Sequence, residues 1–408
     1  MKVTHDVENI DYVKLGNVNI ITFVLFWTGL VVLCSLYVTI PLLPKLSEIY
    51  QISVSQAAWA GSIFSICFAV GCLFFGAISD RYGKKNVMAL GLVGLAIVTF
   101  MIGLSDSFSQ LVVLRGIQGG LAATFSPVAL TYVGVMYPPK KRVTTIGIIS
   151  SGFLIAGIVG QLISSFITAL INWNTVFFFF AIVYIFTSIF LWIVIPKDGM
   201  AAKDQDLFAI VRKFKISFSH KPLILCNSIG IMVLLTFVGM YTALGYYLST
   251  SFQFDDQKIF YVRAAGIFGI ILSPFTGKFV QKFGMKKVLT FGMLCSIIGL
   301  FFMGLGQSLP IIIFMSILFV CGIAIIVPSM LALVGQLGGN EKGVATSIYT
   351  FILFIGASLG PIIATFILKT GSSTMPFFVF GAILTVGIVL SIMIHSLTAQ
   401  HIEKELTN

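Results

Sequence analysis

The sequence predicts an all-α integral membrane protein: twelve transmembrane helices in two six-helix parallel repeats, with both termini cytoplasmic. Three observations predict it. The 408-residue chain is 58% hydrophobic and only 10% charged, with 39 phenylalanines and a mean hydropathy of +1.05. No soluble domain of this size has enough interior to hide so much apolar surface. Apolar runs of about 20 residues, each long enough to cross a bilayer core of about 30 Å, recur along the whole chain. The second half also repeats landmarks of the first at one constant offset, as expected for parallel repeats about an axis along the membrane normal.

The runs cover 19–43, 56–79, 86–105, 109–136, 144–170 and 174–195, then 222–249, 259–281, 288–306, 310–334, 344–368 and 376–397. Each reads as a helix, because only a helix closes its backbone hydrogen bonds within one span. With the N-terminus inside, 25 Lys and Arg residues divide unevenly. Only Lys45, Lys258 and Lys369 fall in outside loops, and apart from Lys278 at the inner end of its run only Arg115 and Arg263 fall within spans. The rest are inside, which is the positive-inside pattern and implies a multi-pass protein of the cell membrane. The net charge of +11 therefore reflects topology, and a nucleic-acid partner is not expected. Residues 1–18 are mixed and polar and carry no cleavable signal pattern. All six cysteines lie within spans without metal-ligand spacing, so neither a metal nor a cofactor is expected.

Residues 1–195 form the first half, 196–221 a cytoplasmic linker and 222–408 the second half. Within the linker Leu207, Ile210, Val211, Phe214 and Phe218 follow helical spacing beside Arg212, Lys213 and Lys215. That pattern reads either as an amphipathic helix on the membrane surface or as a solvated connection. Across the linker Gly76 aligns with Gly277, Gly83 with Gly284 and Pro127 with Pro328.

"GAISDRYGKK" (76–85) resembles the loop 2–3 signature of the major facilitator superfamily, G-x-x-x-D-R-x-G-[RK]-[RK]. "LRGIQGG" (114–120) resembles its fourth-helix signature, R-x-x-Q-G. "PLLPKLSEIY" followed by "VSQAAWAGSIF" is similar, less specifically, to the twelve-span drug:proton antiporter branch. The resemblance covers essentially the whole chain. It implies a secondary active transporter that alternates access by rocking its halves about a central path, and not an enzyme. Ser358 does sit in a literal G-x-S-x-G string, but inside a span and with no histidine base near it in sequence.

The resemblance makes Gly76, Asp80, Arg81, Gly83, Lys84 and Lys85 a latch that is broken and remade during the cycle. The bases alone also read as topology anchors; the acid beside them does not. In the second half Gln281 replaces that acid, so a weaker latch is expected there. "GFLIAGIVGQ" (152–161) departs from the exporters' G-x-x-x-G-P-x-x-G-G, whereas "GASLGP" (356–361) keeps its core. Gly152, Gly157, Gly160, Gly356, Gly360 and Pro361 thus read either as a helix bend favouring export or as small-residue packing.

All 14 acidic residues lie outside the spans or at their ends, so no mid-depth carboxylate is available to carry a proton. Arg115 and Arg263 then lack an evident acid. An unpaired arginine in mid-bilayer costs about 3 kcal/mol on insertion scales, so Arg115 should face a wet path, a carbonyl cluster or an anionic ligand. Arg263, one turn from the outer end of its span, also reads as a snorkelling residue. Gln118, Tyr37, Gln161, Asn227 and Tyr241, with Trp59 and Tyr349, complete the candidate lining. The expected activity is export of a small organic molecule by proton antiport, in monomeric form, with anionic lipid headgroups at the cytoplasmic loops. Two intramembrane bases favour an anionic or zwitterionic cargo: a carboxylate-bearing metabolite, an opine-type metallophore or a drug. Efflux of neutral or cationic drugs, import and uniport are the alternatives, with a non-transporting sensor as the rival from another class.

Overall fold

The computed structural model describes residues 18–198, 220–306, 308–339, 342–369 and 372–407. Every regular element among them is helical, and twelve are long and apolar enough to cross a membrane. The first six spans are Val18–Tyr37, Trp59–Gly76, Lys84–Gly103, Phe108–Met136, Pro139–Leu170 and Trp173–Val194. The last six are Lys221–Phe252, Gln257–Phe283, Met285–Leu305, Leu309–Leu337, Lys342–Leu368 and Met375–Ile394. The second helix runs on past its apolar part to Tyr82. The residues of the amphipathic pattern at 207–218 lie outside those described.

Local chemistry sets the boundaries. Ser107, Asn172 and Asp255 accept the backbone N–H groups of Gln110, Thr175 and Lys258, capping the fourth, sixth and eighth spans. Gly83 and Gly284 close the 2–3 and 8–9 turns at φ of +86° and +82°, a left-handed region that side chains resist. The first span is shorter than its apolar run: the helix ends at Tyr37, and the chain turns before a short helix at Leu43–Ile49. Pro41 and Pro44 explain this, since neither supplies an N–H and each disfavours helix in the residue before it.

Two spans are not continuous helices. The fourth breaks between Phe108–Ala122 and Ser126–Met136, ahead of Pro127. The eighth consists of Asp256–Ala264, Ile267–Ile270, a 3-10 turn at Ser273–Phe275 and Thr276–Phe283. Pro328, the repeat counterpart of Pro127, is carried inside an assigned helix, as is Pro361.

The first six spans pack chiefly as pairs 1–5, 3–6 and 2–4, the last six as 7–11, 9–10, 9–12 and 7–12. The two sets meet through span 2 against span 11 and span 5 against spans 8 and 10. Large apolar side chains such as Phe186, Ile193, Phe291 and Phe366 point outward, as a lipid-facing surface requires.

Candidate functional site

The 2–3, 4–5, 8–9 and 10–11 turns and the helix ends flanking them carry most of the described bases, and we call that end of the bundle the basic end. There the two halves touch through glycines. A Cβ at Gly76 would collide with Ser347 Oγ and come within 3.2 Å of the Gly343 carbonyl. In the repeat-related position, a Cβ at Gly277 would lie 2.9 Å from Thr144 Cα. Ser273 Oγ donates to the Gly147 carbonyl at 2.8 Å, and Gln281 Nε2 donates to the Lys140 carbonyl. At mid-depth the rings of Phe68 and Phe354 meet edge-on at 4.5 Å between centroids. The halves are therefore closed on one another at the basic end.

The loop 2–3 residues assemble around Lys84. Its Nζ lies 2.9 Å from Asp80 Oδ1 and 3.4 Å from Asp198 Oδ2. Asp198 also accepts the backbone N–H groups of Lys84 and Lys85 at 2.9 and 3.3 Å. It thereby answers the unpaired N–H groups that begin the third span. The other acid, Asp80, approaches Gly343 in the first turn of span 11, where a Cβ would come within 2.9 Å of its Oδ2. Arg81 and Lys85 lie over the rings of Tyr82 and Trp192, and neither side chain forms a salt bridge among the described residues. Sequence reasoning missed Asp198, which no local spacing connects to Lys84. Its one signal was an acid directly after the sixth span. Asp198→Ala should lower stability by about 0.5–2 kcal/mol, the usual range for a lost cap. Asp198→Asn, which still accepts N–H bonds, should lose less. Thermal unfolding in detergent measures both, and equal losses would contradict the capping role.

Arg115 is fully buried. Its Nε donates to the Ala60 carbonyl at 2.9 Å, and its Nη1 to Gln118 Oε1. Gln118 Nε2 donates in turn to Thr99 Oγ1 at 2.6 Å. The guanidinium lies over the Phe64 ring, 4.4 Å from its centroid. Thus Arg115 ties spans 2, 3 and 4 together, and Nη2 alone finds no hydrogen-bond partner among the described residues. Of the wet path, the carbonyl cluster and the anionic ligand expected as alternatives for Arg115, this conformation shows a carbonyl among neutral protein groups. A carbonyl, an amide and a ring answer it, because spans 2 and 4 pack closely enough at Gly119 to bring Ala60 and Phe64 into reach.

Arg263 belongs to a different place. Its Nη2 donates to the Tyr241 carbonyl at 2.9 Å, at the end opposite the basic end. This bond ties span 8 to span 7 just before span 8 breaks after Ala264. Tyr37 and Gln161 meet at Gly157, whose Cβ position lies 3.5 Å from the Tyr37 ring and whose carbonyl accepts from Gln161 Nε2. Asn227 and Tyr349 are buried in spans 7 and 11, and the Asn227 amide and Tyr349 hydroxyl have no hydrogen-bond partner among the described residues. Trp59 is 56% exposed at its helix end. Within the candidate lining, Arg115 is thus joined to Gln118, Arg263 to Tyr241, and Tyr37 and Gln161 meet at Gly157. Two grooves, between spans 1 and 6 and along spans 8, 9 and 10, contain none of these residues.

Of the helix-bend glycines, Gly157 faces the Tyr37 ring and the others face partner backbones. Cβ atoms at Gly152 and Gly160 would come within 2.8 and 2.9 Å of the Phe26 and Cys34 carbonyls. At Gly356 and Gly360 the corresponding neighbours are Ile231 Cα at 3.0 Å and the Leu235 carbonyl at 2.5 Å. Small residues here bring spans 1 and 5, and 7 and 11, into backbone contact. Spans 5 and 11 run as helix over Pro139–Leu170 and Lys342–Leu368 without interruption.

The profile of the Major Facilitator Superfamily matches residues 25–270 and 260–405. The chain belongs to that superfamily. This facilitator is 26% identical to the MFS-type transporter YybF of Bacillus subtilis (strain 168), over 83% of the chain and 84% of the relative. It is 27% identical to the multidrug resistance protein MdtG of Proteus mirabilis (strain HI4320), over 72% of the chain and 74% of the relative. Among solved structures, the human organic anion transporter MFSD10 superposes with a TM-score of 0.75 at 18% identity. That superposition covers 91% of this facilitator and 99% of MFSD10, and establishes a shared fold. The chain is accordingly a multi-pass membrane transporter and not an enzyme.

Proposed function

We propose that this facilitator exports a small anionic or zwitterionic organic molecule from the cytoplasm by proton antiport, with the basic end cytoplasmic. The observation that carries the cargo's sign is the neutrality of everything that holds Arg115. A carbonyl, an amide and an aromatic face orient the guanidinium without cancelling its charge. In a low-dielectric interior such a charge acts over a long range, attracting anions to the interface between the halves and repelling cations. Contact between cargo and arginine is not required. The halves, divided at the linker into 1–195 and 222–408, open at the basic end when the Gly76–Ser347 and Gly277–Thr144 contacts separate.

A comparison of a deletion strain with its parent tests the cargo. An anionic metabolite should accumulate in deletion cells and fall in their medium. Inside-out vesicles then test coupling: adding that metabolite should dissipate an acid-inside gradient reported by a pH-sensitive dye. No dye response would leave import or uniport, and overturn antiport. A second reading, efflux of neutral or cationic drugs, is favoured by the likeness to MdtG. It predicts that expression raises resistance to lipophilic cations while the metabolite profile stays unchanged.

A further inference from the structure

We infer that the groove along spans 8, 9 and 10 at the basic end binds an anionic phospholipid, with an acyl chain in the groove and the headgroup at Lys286 and Lys287. The groove has a volume of about 520 Å³ and is lined by Phe279, Phe283, Lys287, Val288, Phe291 and Ile325. Its walls are apolar, and its large rings face outward: Phe283 is 51% and Phe291 59% exposed. An outward apolar groove on a membrane-spanning bundle is filled by whatever the bilayer supplies at that depth. Charge selects which lipid. Lys286 and Lys287 stand in the first turn of span 9, exposed, and no salt bridge joins either to an acid among the described residues. Lys278 and Lys282 lie on the adjoining helix, over the rings of Phe275 and Phe283.

The first half provides the contrast. There Lys84 is neutralised by Asp80 and Asp198, and Asn86 stands in the position of Lys287, bonded to the Tyr82 carbonyl. The second half has Gln281 in place of the acid. A phosphodiester supplies from the membrane the negative charge that Lys286 and Lys287 do not meet among the described residues. The helix Thr276–Phe283 links the site to the contact between the halves. Its Phe279 and Phe283 line the groove, while Gly277 and Gln281, on the other side of the helix, meet Thr144 and Lys140 of span 5. A bound lipid therefore steadies the element that closes the second half at the basic end.

Native mass spectrometry of the full chain, released from nanodiscs of phosphatidylcholine containing phosphatidylglycerol, tests this without any transport measurement. The wild type should retain phosphatidylglycerol in preference to phosphatidylcholine. Lys286→Gln with Lys287→Gln should weaken retention about 25-fold, at about fivefold per lysine near an anionic surface. Lys221→Gln with Lys342→Gln removes the same charge from the same end and should leave retention within about twofold of wild type. Equal losses in the two double variants would reduce the effect to general surface attraction and overturn the site. So would equal retention of the two lipids. Unchanged retention in the Lys286/Lys287 variant would overturn it too, and is the result expected if segment 199–219 fills the groove.

Discussion

Replacing Gly76 by leucine should abolish transport while leaving the protein folded. The side chain would enter space held by Ser347 Oγ and the Gly343 carbonyl, both on the opposing half. Overpacking of this kind costs about 1–3 kcal/mol, and more where backbone is the obstacle. In the proposed cycle the cost falls on the conformer closed at the basic end, where the two halves meet at this glycine. The equilibrium between conformers should therefore shift about 5- to 150-fold toward the open basic end. Spin labels at Lys140 and Gln281, whose backbone and side chain meet across the same seam, should move apart on average. Gly277→Leu should do the same through Thr144. Wild-type transport by Gly76→Leu would show that this end need not close during the cycle.

Arg115 carries the second large effect, and its variants separate a structural role from an electrostatic one. Arg115→Ala removes the group that ties Ala60, Gln118 and Phe64 together and leaves a buried acceptor on Gln118 unmet. The loss should be about 3–5 kcal/mol, visible as a lower thermal midpoint and yield. Arg115→Lys keeps the charge but cannot donate along two directions of a fixed plane, so it should lose about 1–3 kcal/mol and still transport. Arg115→Met keeps most of the volume and removes the charge. Its folded fraction should no longer move an anionic cargo. A folded Arg115→Met protein with wild-type flux would end the argument from the field of Arg115.

Much of this molecule was legible before its structure. The twelve spans, the repeat and the uneven distribution of lysine and arginine follow from hydropathy and charge, which act over single segments. Gly76 and Gly277 were legible as a repeated pair, and Asp80 as the acid that topology anchoring does not need. The breaks in spans 4 and 8 were hidden, since an apolar run looks the same whether its helix is continuous or interrupted. The partners were hidden as well. Phe64, Thr99 and Asp198 are ordinary residues in sequence, and only the packing of spans 2, 3 and 4 and the return of the chain after span 6 bring them to Arg115 and Lys84.

The division has a physical basis. Transfer into a bilayer is decided residue by residue and summed over about 20 positions, so the sequence alone determined how many times this chain crosses and which loops carry the bases. What answers a buried charge is decided by atoms within a few ångströms that belong to distant segments. Only the tertiary structure could decide that Arg115 rests on a carbonyl, an amide and a ring, that Lys84 is shared by two acids, and that Lys286 and Lys287 stand exposed with no salt bridge to an acid among the described residues.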